Sequence, residues 1–69
     1  MSNSVYKIIE LVGTSTESWE KAAANAIERA SESLRDLRIA EISTLDIQIK
    51  DGKIECYRAR VKVSFKFQG

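Results

Sequence analysis

One cysteine and no histidine in 69 residues remove the two devices that most often hold very short chains together. A domain of this size buries only about 60% of the surface its unfolded chain exposes, and below roughly 80 residues natural scaffolds usually add disulfides, a metal or an oligomeric interface. Cys56 has no partner in the chain for a disulfide. Without histidine or a second thiol there is no soft ligand set for a structural zinc. Self-association is what remains, so the chain is expected to form one domain over residues 1–69 and to work as a symmetric homo-oligomer.

The rest of the composition narrows the partners. Hydrophobic residues at 43% beside charged residues at 30% are those of a folded chain, not a disordered one. Eleven basic residues against ten acidic ones give a net charge of +1, and a nucleic-acid binder usually carries a strong basic excess. The opening MSNSVYK lacks a charged segment followed by a long apolar run, and no stretch approaches 18 apolar residues. Neither a signal peptide nor a membrane span is expected, and the expected compartment is the cytoplasm.

The hydrophobic pattern changes period along the chain. Residues 5–12, VYKIIELV, read as a strand ending at Gly13. It is apolar on both faces, with Val5, Ile9 and Leu11 on one and Tyr6, Ile8 and Val12 on the other, so both faces need cover. Thr14 and Glu17 fit a capping box at a helix start. Trp19, Ala22, Ala23, Ala26, Ile27, Ala30, Leu34 and Leu37 then recur at steps of three and four, predicting an amphipathic helix of about 20 residues. Its contact stripe is mostly alanine, which lets it lie close against a sheet. Trp19 falls in register with that stripe and reads as core or interface before it reads as a ligand stacker.

A second strand is expected from Ile39. Ala40 and Ile42 share one parity, while Leu45, Ile47 and Ile49 have the other, which predicts a bulge or bend at Ser43-Thr44. Asp51-Gly52 between alternating segments signals a hairpin. In the third strand Tyr57, Ala59, Val61, Val63, Phe65 and Phe67 form an apolar face, and Cys56, Arg58, Arg60, Lys62, Ser64 and Lys66 form the other. A helical crossover makes strands one and two parallel, and the hairpin return fits antiparallel between them. The predicted fold is α+β, in the order β-α-β-β, with a three-stranded sheet of strand order 1-3-2 and one helix on one face. The other face and both edges then need partners or charge.

The run VYKIIELVGTS, the helical AIERA, the segment LRDLRIAEI, the DG hairpin and the closing YRARVKVSFKF resemble the dodecin family over nearly the whole chain. That resemblance implies a long curved sheet wrapped around one helix, with twelve subunits forming a hollow shell. It also implies non-catalytic binding, storage or sequestration of riboflavin or flavin mononucleotide (FMN) in pairs near two-fold axes. In the family a tryptophan at the start of strand two sandwiches each isoalloxazine, and a glutamine early in strand three holds its edge. Those positions are Ile39 and Arg58 in this chain. Losing the aromatic stack, about 1–3 kcal/mol per ring, lowers affinity by roughly one to two orders of magnitude. Glutamine both donates and accepts, whereas arginine only donates, which favours an anionic reduced ring or a phosphate.

Lys7, Arg29, Arg35 and Lys66 match basic positions that the family uses around the flavin phosphate or coenzyme A. The plain alternative is that all four are solvated or interfacial charges. The S-W-E helix start and the R-I-A-E segment are similar to those of dodecins that lack the stacking tryptophan and are linked to calcium. Glu17, Glu20, Glu41 and Asp46 offer the hard oxygen ligands calcium needs, without EF-hand spacing. Catalysis is not expected: there is no histidine for acid/base work or a triad, and the glycines form no phosphate-cradling loop. Cys56 stands near Arg58, a setting that suits a reactive thiol, although a lone strand cysteine is more often inert. Flavin is thus the first ligand expected, with calcium, coenzyme A or another anionic metabolite, or a scaffolding role, as the alternative.

Overall fold

The structure, a computed structural model, describes residues 4–66. The elements run β1 (Tyr6–Ser15), α1 (Trp19–Ser33), β2 (Leu37–Lys50) and β3 (Lys53–Lys66), and the sheet order is β1-β3-β2. Both pairings with β3 are antiparallel. The predicted β-α-β-β order and strand arrangement are therefore those of the protein. Phe67, assigned to the apolar face of the third strand, lies outside the described residues.

Small residues let the helix approach. Gly13 pairs with Ala59 in the ladder, and a Cβ on Gly13 would overlap the Ala22 carbonyl oxygen and touch Ala26 Cβ at 3.0 Å. Gly13 is thus not a strand break, and β1 runs through it to Ser15. The buried core is Ala22, Ala26, Ala30, Ala59, Val61 and Val63, flanked by Ile9, Leu11, Ala23, Ile27 and Leu37.

The helix is capped differently from the expected Thr14–Glu17 box. Thr14 belongs to β1. The Ser15 hydroxyl accepts from the Glu17 N–H (3.0 Å), and Ser18 is the N-cap, accepting from the Lys21 N–H at 3.0 Å. Each short hydroxyl satisfies one amide, the ordinary role of an N-cap serine. The helix also stops after 15 residues and not about 20. Leu34 is the C-cap in extended backbone, Asp36 turns left-handed at φ 58°, and Leu37 already begins β2, two residues ahead of Ile39. The Ser31-Glu32-Ser33 ending places two residues of low helix propensity in the last turn, and Ser31 Oγ donates back to the Glu28 carbonyl at 2.8 Å.

The bend at Ser43-Thr44 is present as a register shift between Ile42 and Thr44, and two more lie at Leu37/Ile39 and Gln48/Ile49. Ser43 is the extra residue, and its hydroxyl donates to the Arg60 carbonyl at 3.2 Å. The shift puts Ala40, Ile42, Leu45 and Ile47 on one face, opposite Val63, Val61, Ala59 and Tyr57. Asp51 (φ 53°) and Gly52 (φ 76°) supply the two left-handed residues of a type I′ hairpin turn.

Candidate functional site

The helix-free face of the sheet carries the charged rows of the three strands. Across it run the rows Ile8–Ser64–Ile39, Glu10–Lys62–Glu41, Val12–Arg60–Thr44 and Thr14–Arg58–Asp46, each read from β1 through β3 to β2. Directly opposed residues share a face, so the basic stripe of β3 stands between two strands that carry its counterions. Arg58 donates from Nε to Asp46 Oδ1 at 2.7 Å and from Nη2 to Oδ2 at 2.9 Å. Arg60 reaches Glu10 at 3.9 Å, and Lys62 stands opposite Glu10 and Glu41. The stripe that looks basic in sequence is compensated in the fold.

The Asp46–Arg58 contact differs from the others in being bidentate, the geometry in which a carboxylate and a guanidinium bind most strongly. Hydrogen bonding from Arg58, with the fields of Arg58 and Arg60, holds the Asp46 carboxyl below the usual aspartate range and outweighs its modest desolvation. The same hydrogen bond raises the Arg58 guanidinium. Both partners remain ionised at neutral pH.

Ile39 is 67% exposed and lies at the opposite end of the sheet. Its row-mate Ser64 is six residues along β3 from Arg58, about 20 Å at 3.3 Å per residue. One chain therefore does not bring Ile39 and Arg58 together. Lys66 lies beside the Ile39 row, opposite Tyr6, whereas Lys7 pairs with Phe65 on the helix-bearing face. Arg35 is exposed in the bend between α1 and β2. Arg29 borders a groove of about 360 Å³ lined by Leu11, Gly13, Asn25 and Ala26 and sits 3.8 Å from Glu32. Of the six residues proposed from sequence, one chain thus brings Ile39 and Lys66 near each other, while Arg58, Lys7, Arg35 and Arg29 fall elsewhere.

Two side-chain relationships escaped the sequence reading. One is the pairing of Asp46 with Arg58, hidden by the bulges. The other is the anchoring of Trp19: its Nε1–H donates to the Asp46 carbonyl at 3.0 Å, and its ring meets Tyr57 edge-on at 5.2 Å and 71°. Trp19 thus fixes the helix start to the hairpin and borders a groove with Ala23, Ile42 and Leu45. Among the carboxylates, Glu17 and Glu20 are exposed near the helix start and Glu41 is exposed on β2. Among the described residues no three histidine, cysteine, aspartate or glutamate side chains gather to hold a metal. Nor is any helix among the described residues long and apolar enough to cross a membrane.

A family model described as Dodecin matches residues 5–68. The chain belongs to the dodecin family. It is 43% identical over 65 residues to the calcium dodecin of Mycobacterium tuberculosis, covering 94% of this chain and 92% of that protein. It is 36% identical over 64 residues to the dodecin of Thermus thermophilus, covering 93% of each. Among solved structures, the dodecin from Streptomyces coelicolor superposes with a TM-score of 0.93 at 36% identity, covering 100% of this chain and 99% of that one. A crystal structure of the Mycobacterium tuberculosis calcium dodecin, described as calcium-chelating with a novel calcium-binding site, has a TM-score of 0.85 at 47% identity, covering 94% and 93%. In this dodecin the two positions to which the family resemblance assigned the aromatic stacker and the amide are an isoleucine, Ile39, and an arginine, Arg58.

Proposed function

We propose that the chain is a non-catalytic, cytoplasmic ligand-binding protein that works as a hollow homo-oligomer, in the family's form a dodecamer, with its ligand held where copies meet. The observation that carries this is the uncovered helix-free face. Tyr6, Ile8, Val12 and Ile39 are 49%, 62%, 46% and 67% exposed, and α1 covers only the opposite face. Tyr6, Ile8 and Ile39 gather at one end of that face, with the charged Glu10–Lys62–Glu41 row between them and Val12, and exposed apolar surface of this kind marks an interface or a ligand site.

Calcium takes first place among the ligands. A relative 43% identical over nearly the whole chain is a calcium dodecin, and the exposed carboxylates Glu17, Glu20 and Glu41 are hard donors suited to that ion, whereas Asp46 would first have to leave Arg58. They stand apart in one chain, so a calcium site would draw on more than one copy. Riboflavin or FMN is the second reading, favoured by the exposed Ile8–Ile39 patch with Lys66 beside it; coenzyme A would use the same basic surroundings through Lys7, Arg29 and Arg35. The flavin reading is weakened by Arg58, which has no acceptor for the ring N–H and is already engaged by Asp46.

Light scattering should give a mass near twelve times 7.8 kDa, and a mass of one or two chains overturns the shell. Calcium at millimolar concentration should raise the melting temperature and a chelator should reverse the gain. Quenching of riboflavin fluorescence at micromolar protein, with no response to calcium, would exchange the two ligand readings.

A further inference from the structure

We propose that Asp46 is a specificity-determining residue of this surface: it commits the guanidinium of Arg58 and so denies that position to ligands presenting a carbonyl, carboxylate or phosphate edge. The inference rests on the reading of the Arg58 position as a ligand position.

The geometry is specific to this pair. Asp46 and Arg58 stand directly opposite in the β2–β3 ladder, so neither backbone has to move for the side chains to meet. Both carboxylate oxygens are used, one by Nε–H and one by Nη2–H. That edge of the guanidinium is the one that would otherwise hold a planar acceptor edge in the same two-point manner. An incoming edge that approaches through Nε and Nη2 must therefore displace an anion already bonded at 2.7 and 2.9 Å, and one that uses the remaining donors meets a guanidinium whose charge Asp46 already balances.

The surroundings offer no substitute. On the other side of Arg58 stands Thr14, a neutral residue. Arg60 is shared with Glu10, and Lys62 lies between Glu10 and Glu41. With three cations facing three carboxylates, this part of the face has no net positive charge to draw an anion. The hydrogen bond from Arg58, with the fields of Arg58 and Arg60, keeps Asp46 ionised near neutral pH. Replacing Asp46 by a neutral isostere removes the competing anion and leaves a guanidinium with a free two-donor edge. The same chain would then accept the ligand edge that the native pair turns away.

The test uses the full-length chain in its native assembly, with riboflavin as probe. Riboflavin is titrated by fluorescence quenching into Ile39→Trp, into Ile39→Trp/Asp46→Asn, and into the same double variant carrying Arg58→Ala. Ile39→Trp adds the aromatic ring that makes binding measurable. The expected result is an affinity at least tenfold higher in the double variant than in Ile39→Trp, with the gain lost when Arg58 is removed. Light scattering on each protein confirms an unchanged mass, and Asp46→Thr, matching its neighbour Thr44, replaces Asp46→Asn if the latter fails to assemble. If Ile39→Trp binds riboflavin and loss of the Asp46 carboxylate leaves affinity within twofold, the role of Asp46 is overturned alone. If no variant binds while all keep the wild-type mass, the Arg58 position is not a flavin position, and both that reading and this inference fall.

Discussion

At Gly13 one absent methyl group sets the distance between helix and sheet. A Cβ there would overlap the Ala22 carbonyl and touch Ala26, and both groups belong to the rigid part of α1, so relief requires the helix to move. Gly13→Ala is expected to destabilise the protein by about 1–3 kcal/mol, the usual range for overpacking a core. A thermal melt that stays within a degree or two of wild type would show that α1 can lift without loss. The Asp46–Arg58 pair acts at the same scale through charge. Because the folded Asp46 carboxyl titrates below its ordinary value of 3.8, its stabilising contribution is complete above that value and is lost as pH falls through the lower folded one. Wild type and Asp46→Asn should therefore differ in melting temperature at pH 6 and converge as pH drops below 3.8. A difference that persists at pH 2 would mean the carboxylate is not responsible for it. Both groups are exposed, so the difference is small.

Among the elements, the hairpin shows what the sequence reveals and what it conceals. Asp51-Gly52 announces its turn because both residues must take positive φ, and they do. Gly52→Ala should lower stability by about 1 kcal/mol, since alanine in the left-handed region is strained even though open space surrounds that position. Urea titration would register this as a shifted midpoint with an unchanged slope, and an unshifted midpoint would count against the turn geometry. Counting register outward from that turn works for Lys50–Lys53 and Ile49–Ile54. It then fails, because an extra residue at Glu55 moves Asp46 from Tyr57 to Arg58, and a second at Ser43 restores the count. The Ser43 bulge was legible because it breaks an apolar parity. The Glu55 shift was not, because Gln48, Glu55 and Cys56 are polar or small and carry no periodic signal. The site pair depended on that silent shift, whereas strand order and helix stripe followed from strong periodicity.

For the whole molecule, shape decides how folding and assembly relate. The Cα radius of gyration is 14.2 Å and the extents are 52 × 20 × 16 Å, against about 11 Å expected for a compact chain of this length. Its accessible surface of 5348 Å² exceeds the roughly 4,400 Å² of a globular protein of this mass. The largest fully buried side chains are Val61 and Val63, while Tyr6, Ile8, Val12, Ile39, Ile42 and Leu45 of β1 and β2 are left exposed, surface that the proposed assembly would cover. On the proposed assembly, burial between copies supplies what so thin a core lacks against conformational entropy. Folding and assembly should then form one transition. Helix signal by circular dichroism and mass by light scattering are expected to be lost together in urea, with a midpoint that rises with protein concentration, as mass action requires for an obligate oligomer. A helical monomer surviving dilution or intermediate urea would show that α1, Gly13 and the β3 valines hold the fold by themselves, and the apolar face of Ile8 and Ile39 would then need a purpose other than self-association.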